Sequence, residues 1–171
     1  MVDEKKKQQE WLNFGRDYLV AARTLANASG AAAPIMHCAW QAVEDDLKAL
    51  SVGHTIPTTH DLGKITNHLL ANDILKPSDL TQLSSDFSTV TGNSTYSDTK
   101  YPDNNPSYWS SLPRSNITNA ISAAEHIHSF VLETTGSSQL NYWPKSTPRK
   151  QQNHGSRGKQ MDDPHSKRSE E

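Results

Sequence analysis

With 171 residues, 33% of them hydrophobic and 21% charged, the chain has room for one domain but is polar for its length, so part of it is expected to lie outside any core. The charge is uneven: residues 1–135 carry ten Lys/Arg and fifteen Asp/Glu, net −5, whereas residues 136–171 carry seven and four, net +3. The single cysteine, Cys38, excludes an internal disulfide, and the lack of an apolar leader or an 18-residue apolar run argues against secretion and membrane insertion, leaving a soluble, cytoplasmic chain with no membrane partner as the expectation.

Trp11, Phe14, Tyr18, Ala21 or Ala22 and Leu25 recur at helical spacing and predict a first amphipathic helix over 10–27, with Gly30 as its stop. A second helix is predicted from Pro34, suited to a first turn, to Ser51–Gly53. Thr59 or Asp61 is placed to accept from the free amides of a third helix carrying Leu62, Ile65, Leu69 and Leu70 and fading at Asn72. Pro77 and Ser78 open a fourth, with Leu80, Leu83, Phe87 and Val90 on its inner side. Residues 91–112 hold Gly92, Pro102, Asn104, Asn105 and Pro106 without helical period and read as a long loop, and Ile117, Ile121, Ala124, Ile127 and Val131 define a fifth helix over 115–135.

No strand signal occurs, so the fold class is all-α: an antiparallel up-and-down bundle of about five helices over 1–135. Residues 136–171 are rich in Ser, Gln, Lys and Arg, with few apolar groups beyond Leu140, Tyr142, Trp143 and Met161, and are expected to form a disordered basic tail.

The second helix carries two stripes. Met36, Trp40, Val43, Leu47 and Leu50 recur at steps of four, three, four and three, an apolar face with Trp40 as a core anchor. His37, Gln41, Glu44 and Lys48 follow one residue later and form a polar stripe at its edge, the chain's best candidate for a functional surface. Glu44 and Lys48 also stand at i and i+4 in the favourable order, and on residue pattern alone they read as a solvent-side ion pair contributing about 0.2–0.5 kcal/mol.

Most catalytic chemistry lacks its residues. The eight histidines show no metal-ligand spacing: there is no H-E-x-x-H, and Glu125 with His128 gives one E-x-x-H where a di-iron bundle needs two. Phosphate-loop, dinucleotide and hydrolase-elbow motifs are absent, so neither cofactor nor metal is expected. Lys145, Arg149, Lys150, Arg157 and Lys159, with Tyr142 and Trp143 upstream, form a loose electrostatic and stacking surface for single-stranded nucleic acid, against which stands the simpler reading of a solubilising terminus.

Four stretches, in this order and spacing, resemble the HEPN family of higher-eukaryote and prokaryote nucleotide-binding helical domains: RDYLVAARTLA in the first helix, HCAWQAVEDDLKAL in the second, THDL at Thr59–Leu62, and TKYPD at Thr99–Asp103. Together they span residues 10–133. The resemblance implies a helical bundle that forms a homodimer with its working cleft between subunits. It also implies either a metal-independent RNase, as in toxin–antitoxin and defence systems, or a module paired with a small nucleotidyltransferase.

The RNase branch carries an arginine and a histidine four to six residues apart near the start of the last helix, to stabilise phosphate charge and move protons. Here Arg114 is followed only by His126 and His128, too far along, and the one formal match, Arg149 with His154, falls in the tail. Lys100 stands where relatives carry arginine, which turns a bidentate phosphate contact into a point charge.

The expectation is therefore a HEPN-like binding or regulatory module for a nucleotide, RNA or a nucleotidyltransferase partner, without a catalytic set, with His37, Gln41, Glu44, Lys48, His60, Asp61, Lys100 and Tyr101 around its cleft. Two alternatives stand beside it. One is an RNase using His60 or His37 as general base and Lys100 or Arg114 on the phosphate; the other is an interaction module whose basic tail is its nucleic-acid contact.

Overall fold

Helix α1 (Glu4–Asn27) and helix α2 (Ala32–Leu50) run antiparallel: Gln8 Nε2 donates to the Ala49 carbonyl at 3.2 Å near one end, and Gly15 meets Ala42 and Asp46 further along. A Cβ on Gly15 would stand 2.5 Å from Asp46 Oδ1, so the close approach of the two helices requires glycine there. This computed structural model describes residues 3–92, 96–100, 103 and 106–137. The expected basic tail and Tyr101 lie outside the described residues.

Around α2 stand α3 (Leu62–Ala71), α4 (Pro77–Thr91), two short helices, α5 (Tyr96–Lys100) and α6 (Pro106–Ser111), and α7 (Arg114–Thr134), each in contact with it. The described residues are thus an all-α bundle with α2 as its central helix. Leu19, Val43, Leu47, Ile65, Leu69, Leu83, Val90, Ile127 and Val131 meet in its main core. No helix of the described residues is long and apolar enough to cross a membrane.

The four helices read from capping and periodicity after the first one begin and end within two residues of expectation. Two features differ. Helix α1 starts six residues earlier than its apolar rhythm, because residues 4–9 are charged or amide side chains with no buried face to betray them, while Glu4 sits favourably in the first turn. The region 91–112 also contains α5 and α6 instead of continuous loop; at five and six residues they are too short to show a period, and α6 is held by Trp109 packing on Ala33, Met36 and Ala120.

Helix ends follow local chemistry. Asp61 caps α3, its carboxylate accepting from the Lys64 amide at 3.1 Å, and the Thr59 hydroxyl accepts from the Asp61 amide at 3.1 Å. At the end of α1 the left-handed residue is Ser29 (φ 57°), not Gly30: the Ser29 and Gly30 amides donate to the Ala26 and Leu25 carbonyls at 3.1 and 2.7 Å. Gly30 is still required, since a Cβ there would lie 2.8 Å from the Leu25 carbonyl oxygen.

Candidate functional site

The solvent-side reading of Glu44 and Lys48 is overturned. Glu44 is 1% exposed and Lys48 6%, because α2 is covered on this side as well as on its apolar face. Lys48 Nζ donates to Glu44 Oε1 at 2.6 Å, and the same carboxylate receives His60 Nδ1 at 2.9 Å on Oε1 and 3.1 Å on Oε2. Hydrogen bonds from cationic donors to a carboxylate are short and strong, and the attraction between buried partners is far less screened than on a surface.

His60 arrives from the connection between α2 and α3, and two contacts fix it. Its ring is held through Nδ1 by Glu44, and its carbonyl accepts from Trp40 Nε1 at 3.2 Å. Trp40 is the core anchor expected of it and also sets the backbone of the loop that delivers the imidazole. The side chain of His60 remains about half exposed.

At the other end of the row, His37 Nδ1 lies 3.3 Å from Thr99 Oγ1, which brings α5 and the adjacent Lys100 to α2. Burial holds His37 below the ordinary imidazole range, reinforced by the positive field of Lys100 and by His60, with Glu44 pulling the other way. His37, Glu44, Lys48, His60 and Lys100 thus form one electrostatic cluster drawn from three segments.

Gln41 sits on the same face, half-buried, and donates to Asp45 Oδ1 at 3.1 Å. Asp45 is not part of the stripe, yet it is buried, and burial together with the neighbouring Glu44 and Asp46 carboxylates raises it to about 7, against the Gln41 hydrogen bond and the field of Lys48. The i, i+4 spacing from Gln41 is the signal that could have found it. Trp11, which periodicity assigns to the first helix's apolar face alone, also places its ring under Lys48 Nζ, 5.5 Å from the centroid, and meets Phe14 edge-on. Phe14 is 55% exposed beside it.

Two expected members stand apart. The contacts of Asp61 are those of a helix cap, and its side chain is exposed. Arg114 is exposed at the start of α7. His126 and His128 leave α7 on different sides: His126 pairs with Asp86 at 2.6 Å on the surface, whereas His128 is buried against Asp46. Glu125 pairs with Arg23. Among the described residues no group of three or more His, Cys, Asp or Glu side chains is arranged to hold a metal ion. Burial pushes the Cys38 thiol up, away from the depressed range of nucleophilic cysteines.

A separate cleft of about 370 Å³ opens between α3 and α4, lined by Leu62, Thr66, Leu80, Ser84, Phe87 and Thr91 among others, with no charged side chain. The Thr66, Ser84 and Thr91 hydroxyls donate to carbonyls of their own helices.

No family model matches the chain, and no curated protein matches it. Among solved structures it is similar to the crystal structure of TT1696 from Thermus thermophilus, with a TM-score of 0.60 and 24% identity, over 75% of this chain and 98% of that one. At that identity the likeness is one of fold: the helical arrangement of this chain is one that a protein of Thermus thermophilus also adopts.

Proposed function

We propose that this chain is a HEPN-like, cytoplasmic binding module without RNase chemistry, whose α2 face holds a nucleotide or RNA, or docks a small nucleotidyltransferase, in a homodimer. The observation that supports this most is the withdrawal of Glu44 and Lys48 from solvent and their convergence with His37, His60 and Lys100. A solvated face would leave these groups apart. Desolvating charges is costly, and a set of them held in fixed geometry at an open edge suits recognition better than stability.

The test is titration of the full chain with ATP and with a short single-stranded RNA. His60→Ala and Lys100→Ala lower affinity at least tenfold while far-UV circular dichroism stays unchanged. Unaltered affinity in both variants, or no binding of either ligand by the parent chain together with no capture of a co-expressed nucleotidyltransferase, overturns the proposal.

One observation favours the RNase alternative: buried Glu44 holds the half-exposed ring of His60 through Nδ1, a carboxylate–imidazole pairing that can steady a general base. Metal-independent cleavage of RNA by the purified chain, lost in His60→Ala, would establish it.

A further inference from the structure

Helices α3 and α4 each pack on α2 but scarcely touch one another, which opens the cleft of about 370 Å³ between them. Their connection sets the angle. Leu75 is buried, the Ile74 and Leu75 amides both donate to the Leu69 carbonyl at 2.9 and 3.3 Å, and the Asp79 carboxylate accepts from the Lys76 amide at 2.8 Å. The cleft is thus built into the fold, and its volume falls at the small end of the range for ligand pockets, about 300–1,000 Å³.

The lining selects a ligand chemistry. It carries no charged side chain, so an ionised group would lose its hydration there without an opposite charge to meet. Leu62, Leu80 and the half-buried Phe87 supply apolar surface and one aromatic ring. The hydroxyls of Thr66, Ser84 and Ser88 spend their hydrogens on the Leu62, Thr81 and Ser84 carbonyls at 2.7, 3.0 and 2.9 Å, which leaves their oxygen lone pairs as acceptors. Asn67 adds an exposed amide. A flat, uncharged group with N–H donors on its edge meets all these conditions, and a nucleobase is such a group.

We infer that the α3–α4 cleft is a nucleobase pocket, with the base stacked on Phe87 and its exocyclic amine donating to the hydroxyl oxygens. This rests on the binding reading above and adds to it the place of the base. Leu62 follows His60 by two residues, so their Cα atoms stand no more than about 7 Å apart. A base in the cleft then leaves the phosphate side of its ligand towards His60 and the α2 face.

The probe is adenosine, which carries the base and no phosphate, titrated calorimetrically into the full chain beside purine riboside, which lacks the exocyclic amine. Adenosine is expected to bind, and purine riboside about fivefold more weakly. Phe87→Leu keeps apolar bulk, removes the ring and lowers adenosine affinity about tenfold. A Ser84→Ala, Ser88→Ala double variant, at two exposed positions, abolishes the preference for adenosine while far-UV circular dichroism stays unchanged. His60→Ala and Lys100→Ala weaken ATP binding and leave adenosine binding as it is. Displacement of adenosine by ATP or by a short oligoadenylate identifies free nucleotide or RNA as the source of the base.

ATP or RNA binding through His60 and Lys100 without adenosine binding, or adenosine binding indifferent to the Phe87 and serine variants, overturns the pocket and leaves the binding module standing. Adenosine held by Phe87 and the serines in a chain whose ATP and RNA binding ignores His60 and Lys100 keeps the pocket and removes the α2 face. Adenosine displaced by neither ATP nor oligoadenylate overturns the assignment to the base of a nucleotide or RNA.

Discussion

Asp46 and His128, 82 residues apart in sequence, meet at 2.8 Å between Oδ1 and Nδ1 in the interior of the bundle, where Asp46 is 0% exposed. The contact joins α2 to α7 at the point where Gly15 lets α1 close in from the other side. Asp46 Oδ2 has no hydrogen-bond partner, and burial raises the group to about 6 against the pull of His128. Three helices are thus registered on one polar contact within an apolar core.

Removing one partner from such a pair leaves the other buried and uncompensated. His128→Ala is expected to destabilise the bundle by about 3–5 kcal/mol in urea unfolding. A His128→Leu, Asp46→Leu double variant should lose much less than twice that. Additive losses would show that the two groups act independently.

Gly15→Ala sets two effects against each other. Alanine gains about 1 kcal/mol of helix propensity in an interior position, but its Cβ would overlap Asp46 Oδ1, and overpacking of this sort costs about 1–3 kcal/mol. The overlap is with a buried, anchored carboxylate, so net destabilisation is expected. In an Asp46→Ala background the same substitution should become neutral or stabilising, measured by thermal or urea unfolding.

Asp45 and Asp46 give stability an unusual pH dependence. Both are raised, to about 7 and about 6, so between the unfolded carboxylate pKa near 3.8 and those values the folded chain binds more protons than the unfolded one. Their contribution is fully present below about pH 3.8 and is lost as pH rises towards 6 and 7. His37, lowered, opposes this below its ordinary value of 6.5. With two carboxylates against one imidazole, these groups make stability fall between pH 5 and pH 7. Asp45→Asn should make that slope shallower; an unchanged slope in urea unfolding would show that Asp45 titrates as an ordinary carboxylate.

Asp61 separates capping from recognition. Its carboxylate accepts the Lys64 amide, and Asp61→Ala is expected to cost about 1 kcal/mol of stability. Affinity for ATP or RNA should stay within twofold of the parent chain. A tenfold loss of affinity without loss of stability would return Asp61 to the site.

Much of the bundle was legible. The cap at Asp61, the first-turn proline Pro77 and the apolar rhythms of α2, α3, α4 and α7 are local signals, since residues three and four apart share a helix face whatever surrounds it. The row His37, Gln41, Glu44, Lys48 was legible for the same reason. Helices α5 and α6 were not, because five or six residues hold too little repeat to distinguish a helix from a turn-rich loop.

By itself the sequence determined the helical class, the boundaries of α2, α3, α4 and α7 to within about two residues, the inward face of α2 and the existence of a polar stripe beside it. Only the tertiary structure decided that Glu44 and Lys48 are buried, that Asp45 and Asp46 share their interior helix, and that His60, Lys100 and His128 come to meet α2. Periodicity records which side chains share a helix face, but burial depends on what covers that face. The covering groups here come from segments 16 to 82 residues away, whose approach is set by packing and by small residues such as Gly15.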